Sequence, residues 1–412
     1  MKIQYLIDAY NALMLVYRDK AFISQAIKSV PESEYKKTAV RLIYGVVERD
    51  YEAEVIIDSL TWHKPKTSVR VLLKMGIYCL KYMDSMPNHA VVNNIVELSK
   101  KVGKTANSGF INAVLKKVSA KDYKIPTDSV KFLAYESSTP VWLVNKLIDK
   151  FGKEEAEKLL LYKHEVREHI RINSLYKSDE DKIIETLKLK PSGYGGFYMN
   201  SKDYAAGRTC FDSGKITYQA EGSMLIAKLV AENKRKKILD LCAAPGGKAI
   251  YISELTGSEV LACDIHKHRL ELIEAYCRRM KNDKVLPVQL DAVQLHEKFA
   301  GLFDSVLVDA PCSGTGVRYS KPDILINLDS RDIASLTRLQ SAILTNAAQY
   351  VKRGGTLVYS TCSILDEENM DIVTEFMKLG GYEIDMPDGK PIELLPHRDK
   401  AEGFFAVRLR KL

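Results

Sequence analysis

Apolar residues recur at every third or fourth position in Ala39–Val47, Val69–Met83, Val91–Leu98 and Phe110–Val118, with polar residues between them. That period lays an apolar stripe along a helix. Breaks fall at Pro31, Pro65, Pro87 and Gly103, so residues 1–125 read as a wholly helical unit. Residues 126–150 hold Pro126, Pro140 and the helix-like Trp142–Phe151, and read as a connector. Patterning then weakens. Ile170–Leu175 reads as a strand, Ser178–Leu187 as an amphipathic helix with Ser178 as its N-cap, and PSGYGGFYMN as a turn-rich close. A connector plus a small α+β unit, RRM-like in outline, is expected over 126–215. Tyr194, Phe197 and Tyr198 are read as packing locally there rather than stacking on bases.

The period changes again at Lys236. Short β-branched runs at Lys237–Leu241, Val260–Asp264, Val285–Leu290, Ser305–Asp309 and Gly355–Ser360 alternate with helical runs at Lys248–Leu255, Lys267–Lys281, Arg331–Val351 and Glu367–Leu379. Gly403–Arg410 reads as a last strand. Strand-then-helix alternation predicts a doubly wound, Rossmann-like α/β domain built on a parallel sheet, over 216–412. The whole is a multi-domain chain, all-α first, α+β in the middle and α/β last.

Composition narrows the class. The 412 residues are 46% apolar and 28% charged, as expected of a globular protein. No run is apolar enough to cross a membrane and the N-terminus lacks a signal-peptide pattern, so a cytoplasmic protein is expected. Seven Cys without a CxxC pair point to reduced thiols, not disulfides or a metal site. A monomer is expected. Net charge is +8, and residues 1–125 hold 20 Lys and Arg against 12 Asp and Glu, so they carry all of it. Such asymmetry favours an RNA-binding role for the helical unit, the alternative being a solvated lysine-rich face.

Candidate chemistry gathers at the strand ends. Ile238–Ala249, ILDLCAAPGGKA, is a strand, a tight glycine turn and a helix start. Gly246 and Gly247 let backbone approach a ligand, and the helix N-terminus offers free N–H groups. It is neither a Walker loop nor GxGxxG. Asp264, Asp291 and Asp309 close the following strands. Carboxylates in that series suit a ligand with a ribose, an adenine and an ammonium group, as in S-adenosyl-L-methionine. Cys312 and Cys362 each follow a strand of the same sheet, so both thiols can reach one pocket. Cys79, Cys263 and Cys277 read as small buried hydrophobes.

The motifs LDLCAAPGGK, DAPCSGTGV and YSTCSI with its trailing EEN resemble those of RNA cytosine-5 methyltransferases, the NOL1/NOP2/Sun family. RLIYGVVER, YMDSMPNHAVVNNIVELSKK and SGFINAVLKKV resemble a NusB-like RNA-binding domain. The pairing is similar to bacterial methyltransferases of small-subunit (16S) rRNA. The resemblance implies methyl transfer from S-adenosyl-L-methionine to carbon 5 of a cytidine through a covalent cysteine–cytosine intermediate. It implies Cys362 as nucleophile, Cys312 as the partner in proton removal or release, and Asp309 on the donor or the base. Cys242, Ala243, Ala244, Pro245, Gly246, Gly247, Lys248, Asp264, Asp291 and Asp309 would hold the donor. Naked or early-assembly rRNA is the expected partner. Methylation of tRNA or another rRNA site, and a non-catalytic assembly factor, are the alternatives. One departure stands out: Tyr319-Ser320-Lys321 precedes Pro322-Asp323 where the family carries Arg-Arg-His, leaving Arg318 and Lys321 as the expected positive charge along the RNA path.

Overall fold

A computed structural model describes residues 3–84, 86–163, 168–199, 204–232 and 236–412. The chain forms two compact units. One is Met1–Tyr162 with Arg318–Ser330, the other Lys163–Val317 with Arg331–Leu412.

The first unit is helical throughout. Helices Gln4–Asp19, Lys36–Glu48, Asp50–Leu60, Thr67–Tyr82, Asn88–Lys101 and Ser108–Ser119 carry the expected stripes. Those stripes bury Leu13, Leu42, Ile43, Leu72, Leu73, Ile95 and Leu115 in one core. Helices Ser129–Glu136, Val141–Phe151 and Lys153–Leu161 follow in the same unit. The first of these is capped by Asp128, whose carboxylate accepts from the Val130 and Lys131 amides. Buried charges are paired: Lys74 with Asp50 and Glu54, and Lys81 with Glu52 at 2.7 Å and the Tyr135 hydroxyl at 2.9 Å.

Arg318–Ser330 belongs to this helical unit although it follows the DAPCSGTG loop in sequence. Arg318 is only 7% exposed. Its guanidinium donates to the Thr139 hydroxyl, to the Leu160 carbonyl at 3.0 Å and to the Tyr319 hydroxyl at 2.8 Å. Tyr319 in turn donates to the Leu159 carbonyl, and the Asp323 carboxylate accepts from the Ile23 amide at 3.0 Å. This corrects the expectation for Arg318. Its donors are consumed inside the fold, so it is not a free phosphate contact, whereas Lys321 is exposed.

The second unit holds two sheets. In the smaller, β1 (Glu168–Ile172), β2 (Lys190–Pro191), β3 (Phe197–Met199) and β4 (Ile216–Tyr218) lie in the order β2-β3-β1-β4, with β1 antiparallel to both neighbours. β1 stops short of the expected Leu175 because Asn173 turns the chain. Its side chain accepts from the Leu175 amide at 3.0 Å and donates to the carbonyls of Gly214 and Met280. Ser178 is therefore not an N-cap. It lies inside the 3-10 turn Ser174–Asp179, and the α-helix begins at Glu180. Tyr198 packs edge-on against His169 and donates to Glu221 at 2.9 Å, and Tyr194 donates to Asp399, so both are engaged within the fold.

The larger sheet contains β5 (Ile238–Asp240), β6 (Val260–Asp264), β7 (Val285–Gln289), β8 (Phe303–Asp309), β9 (Val351–Thr361), β10 (Tyr382–Ile384) and β12 (Phe404–Lys411) in the order β10-β12-β9-β8-β5-β6-β7, with β11 (Ile392–Leu394) beside β12. From β7 to β9 all pairs are parallel. β12 is antiparallel to β9, β10 and β11, so the sheet is mixed rather than wholly parallel. Only the short helix Pro396–Asp399 intervenes before β12, too little chain for a parallel crossover. Helix Glu221–Ala231 carries no signal of its own in the sequence, because Met224-Leu-Ile-Ala-Lys-Leu-Val is apolar nearly all round.

Candidate active site

Strand order reverses beside β5: β6 and β7 lie to one side, β8 and β9 to the other. At such a switch point the two outgoing connections part and leave a crevice at the carboxyl ends of the strands. β5 ends in Asp240 and β8 in Asp309. From β5 the chain enters the Cys242–Lys248 turn, where Gly246 has φ +107° and caps the helix Gly247–Thr256. Any side chain there would be strained, and its Cβ would lie 3.2 Å from Ile273.

Lys248, one position inside that helix, donates from Nζ to Asp309 Oδ2 at 2.7 Å. The other Asp309 oxygen accepts from Ser360 Oγ at 2.9 Å. Burial by itself would weaken the Lys248 ammonium, but the negative charges of Asp309, Asp240 and Cys362 outweigh it and raise its pKa. Asp240 is 1% exposed and neither carboxylate oxygen has a hydrogen-bond partner. Burial first, and the Asp309 charge second, push its pKa up to about 7. Asp264, also buried, accepts from the His266 amide at 3.1 Å and pairs with Arg269 at 3.2 Å. Asp291 closes its own turn, accepting from the Val293 amide and the Gln294 side chain.

The thiols meet. β8 and β9 are neighbours with Asp309 opposite Ser360, so Cys312 and Cys362 leave the sheet side by side. Their Sγ atoms stand 3.3 Å apart. The bond to the Cys362 sulfur, then burial, then the charge of Cys362 raise the Cys312 pKa well above the ordinary thiol range. Either sulfur can donate in this contact, and the raised pKa favours Cys312 as the thiol. Cys242 also stays a thiol, pushed up by burial and then by Asp240, Asp309 and Asp264. Cys79, Cys263 and Cys277 are buried, as their apolar surroundings suggested.

The two cysteine loops are laced together. Glu368, fully buried, accepts from the Ser313 amide at 2.8 Å, from the Ser313 hydroxyl and from Gln340 Nε2 at 3.0 Å. The Gly316 amide donates to the Cys362 carbonyl at 2.9 Å, and the Gly403 amide donates to the Gly316 carbonyl at 2.9 Å. A Cβ on Gly316 would fall 2.3 Å from the Gly403 oxygen, so this crossing requires glycine.

The structure thus brings Lys248, Asp309, Cys312 and Cys362 to one rim, while Asp264 ends β6 and Asp291 lies in the turn just beyond β7. Asp240, Glu368, Gln340 and Arg269 were missed from the sequence. Asp240 and Glu368 left a signal, since each lies inside a motif that was read for its neighbours. The donor set fits S-adenosyl-L-methionine. A buried carboxylate with no partner, next to a second carboxylate and a glycine turn, suits a ligand that carries positive charge and a ribose.

Residues 227–410 match the family model for 16S rRNA methyltransferase RsmB/F, and residues 6–120 match the NusB family. The chain is 31% identical over 445 aligned residues to the Bacillus subtilis "Probable ribosomal RNA small subunit methyltransferase B", covering 98% of both chains. It is 30% identical to the Photorhabdus laumondii ribosomal RNA small subunit methyltransferase B, over 90% of this chain and 89% of that one. Among solved structures, that of PH0851 superposes with a TM-score of 0.83 at 24% identity, over 99% of this chain and 98% of that one, a likeness of fold. That of NSun6 from Pyrococcus horikoshii with SFG gives 0.57 at 25% identity, over 66% of this chain and 98% of that one. A NusB-type helical unit joined to a cysteine-bearing methyltransferase sheet, matched over nearly its whole length by such relatives, places this chain in the ribosomal RNA small subunit methyltransferase B family.

Proposed function

We propose that the chain transfers a methyl group from S-adenosyl-L-methionine to carbon 5 of a cytidine in small-subunit rRNA, through a covalent bond to Cys362. The observation that carries this reading is the pair of sulfurs 3.3 Å apart at the ends of adjacent strands, beside the Lys248–Asp309 pair. Carbon 5 of cytosine is a weak nucleophile. Addition of the Cys362 thiolate to carbon 6 shifts the ring electrons onto carbon 5. The bound donor supplies an electrophilic methyl group there. Cys312 then accepts the carbon-5 proton, the C5=C6 bond re-forms, and Cys362 leaves as a thiolate.

The order of these events follows from what raises the Cys312 pKa. The leading cause is its bond to the Cys362 sulfur, with the Cys362 charge a further one. Both vanish once that sulfur is bonded to carbon, while burial and the Glu368 charge still raise it. Cys312 gives up its proton more readily at that stage than in the free enzyme and then takes the carbon-5 proton, so one proton is released per methyl transferred. Lys248 helps hold Cys362 as the thiolate through its positive charge. A base stacked in a helix cannot present its ring face to a thiolate, so the target lies in a loop or is flipped out.

The test is a pair of variants. Cys362→Ala should leave no 5-methylcytosine in unmodified 16S rRNA and form no covalent complex. Cys312→Ala should accumulate protein bound covalently to RNA, seen as a band resistant to denaturing gels. Normal methylation by Cys362→Ala would refute the proposal.

A further inference from the structure

Trp62 is 100% exposed; Leu379, next among the described large apolar side chains, is 68% exposed. It lies between helices Asp50–Leu60 and Thr67–Tyr82 in the sequence Thr61-Trp-His-Lys-Pro-Lys66. His63, Lys64 and Lys66 are exposed with it. Single exposed hydrophobes are ordinary, but an indole with its entire surface in water is not, because Trp is buried in most folds. The charge around it is one-sided. No acid occurs between Asp58 and Asp84, and the helix after the loop has none in its first turn. The cations deeper in that helix, Arg70, Lys74 and Lys81, are matched to Glu54, Asp50 and Glu52. Lys64 and Lys66 stand in water instead.

We propose that the Thr61–Lys66 loop is an RNA-docking site, in which Trp62 stacks on an unpaired base and His63, Lys64 and Lys66 face the flanking phosphates. A flat aromatic among cations is the chemistry that holds single-stranded nucleic acid without reading its sequence. It is poorly suited to an acidic protein surface, which would leave the indole without a stacking partner. The site rests on the rRNA reading above and adds a contact on the helical unit, outside the thiol crevice.

The chain has two Trp, so Trp142→Phe leaves Trp62 as the lone indole reporter. Titrating that protein with poly(A), and separately with unmodified 16S rRNA, should quench its emission in a salt-sensitive way. In the otherwise native chain, Trp62→Ala should raise the KM for unmodified 16S rRNA about tenfold, the loss of one stacked base, with kcat unchanged. Trp62→Phe should recover most of that loss. The melting temperature of Trp62→Ala should stay native, since the side chain packs against nothing. Unchanged KM in Trp62→Ala, or unquenched emission with RNA bound, overturns the site. Emission that follows protein concentration rather than RNA would assign the loop to contact between copies and overturn it too. Failure of the rRNA reading looks different: no methyl transfer to 16S rRNA by the native chain, whatever poly(A) does to Trp62.

Discussion

At the residue scale, Asp240 makes the stability of the chain depend on pH. An unfolded aspartate titrates near 3.9, whereas the folded Asp240 is pushed up to about 7. Between those values the folded chain holds a proton that the unfolded chain has lost. Stability therefore falls as pH rises through this window, and the penalty is complete above the folded value. Three pH units correspond to about 4 kcal/mol at most. Asp240→Asn removes the ionisation, so its unfolding free energy should gain on the native protein from pH 5 to pH 8. Denaturant titrations across that range measure the gain, and parallel pH profiles for the two proteins would contradict it. Above pH 7, where Asp240 is ionised, the same variant should bind S-adenosyl-L-methionine more weakly, having lost a negative charge from the crevice.

Glu368 belongs to the scale of elements, because it ties the loop after β8 to the loop after β9. Glu368→Ala would leave the Ser313 amide buried without an acceptor, while Gln340 Nε2 keeps the Pro311 carbonyl at 2.9 Å. That should cost about 1–3 kcal/mol. Because the tie is between the cysteine loops and not at the glycine turn, kcat should fall much further than affinity for the donor. Equal losses in both would mean that the loops do not depend on this tie. Legibility at this scale followed periodicity. The parallel strands and the stripes of the helical unit repeat regularly, so their positions could be read to within a few residues. Strand direction at the β12 edge could not, since orientation is set by connection length rather than by pattern. Arg318 was misread for a related reason. Its local neighbours look like an RNA-facing basic segment, yet its partners Thr139 and Leu160 lie 179 and 158 residues away in sequence. The cysteines were legible as neighbours because Cys362 directly follows β9 and Cys312 lies just beyond the end of β8. The Glu368 tie was not, because only the fold brings position 313 to position 368.

At the scale of the whole molecule, charge is divided unequally. Residues 1–125 carry the entire net +8, and the remaining residues hold 41 Lys and Arg against 41 Asp and Glu. Long-range attraction for a polyanion therefore originates in the helical unit. Within it, Lys100–Lys124 contains seven Lys and one Asp, and Lys116 and Lys117 are exposed on helix Ser108–Ser119. Each phosphate contact contributes about 0.9 to the slope of log affinity against log salt on a duplex, and about 0.7 on a single strand. Affinity for unmodified 16S rRNA should fall steeply with added salt, and Lys116→Gln with Lys117→Gln should flatten that slope by between one and two. Lys378→Gln, in the electrically balanced remainder, should leave the slope as it is. Lys378 sits in an exposed pair with Glu375, so its charge is already compensated. Filter binding at a series of salt concentrations reads all three. A slope unmoved by the double change at 116 and 117 would place the phosphate path on another face of the helical unit. A slope that moved only with Lys378 would place it on the sheet unit instead.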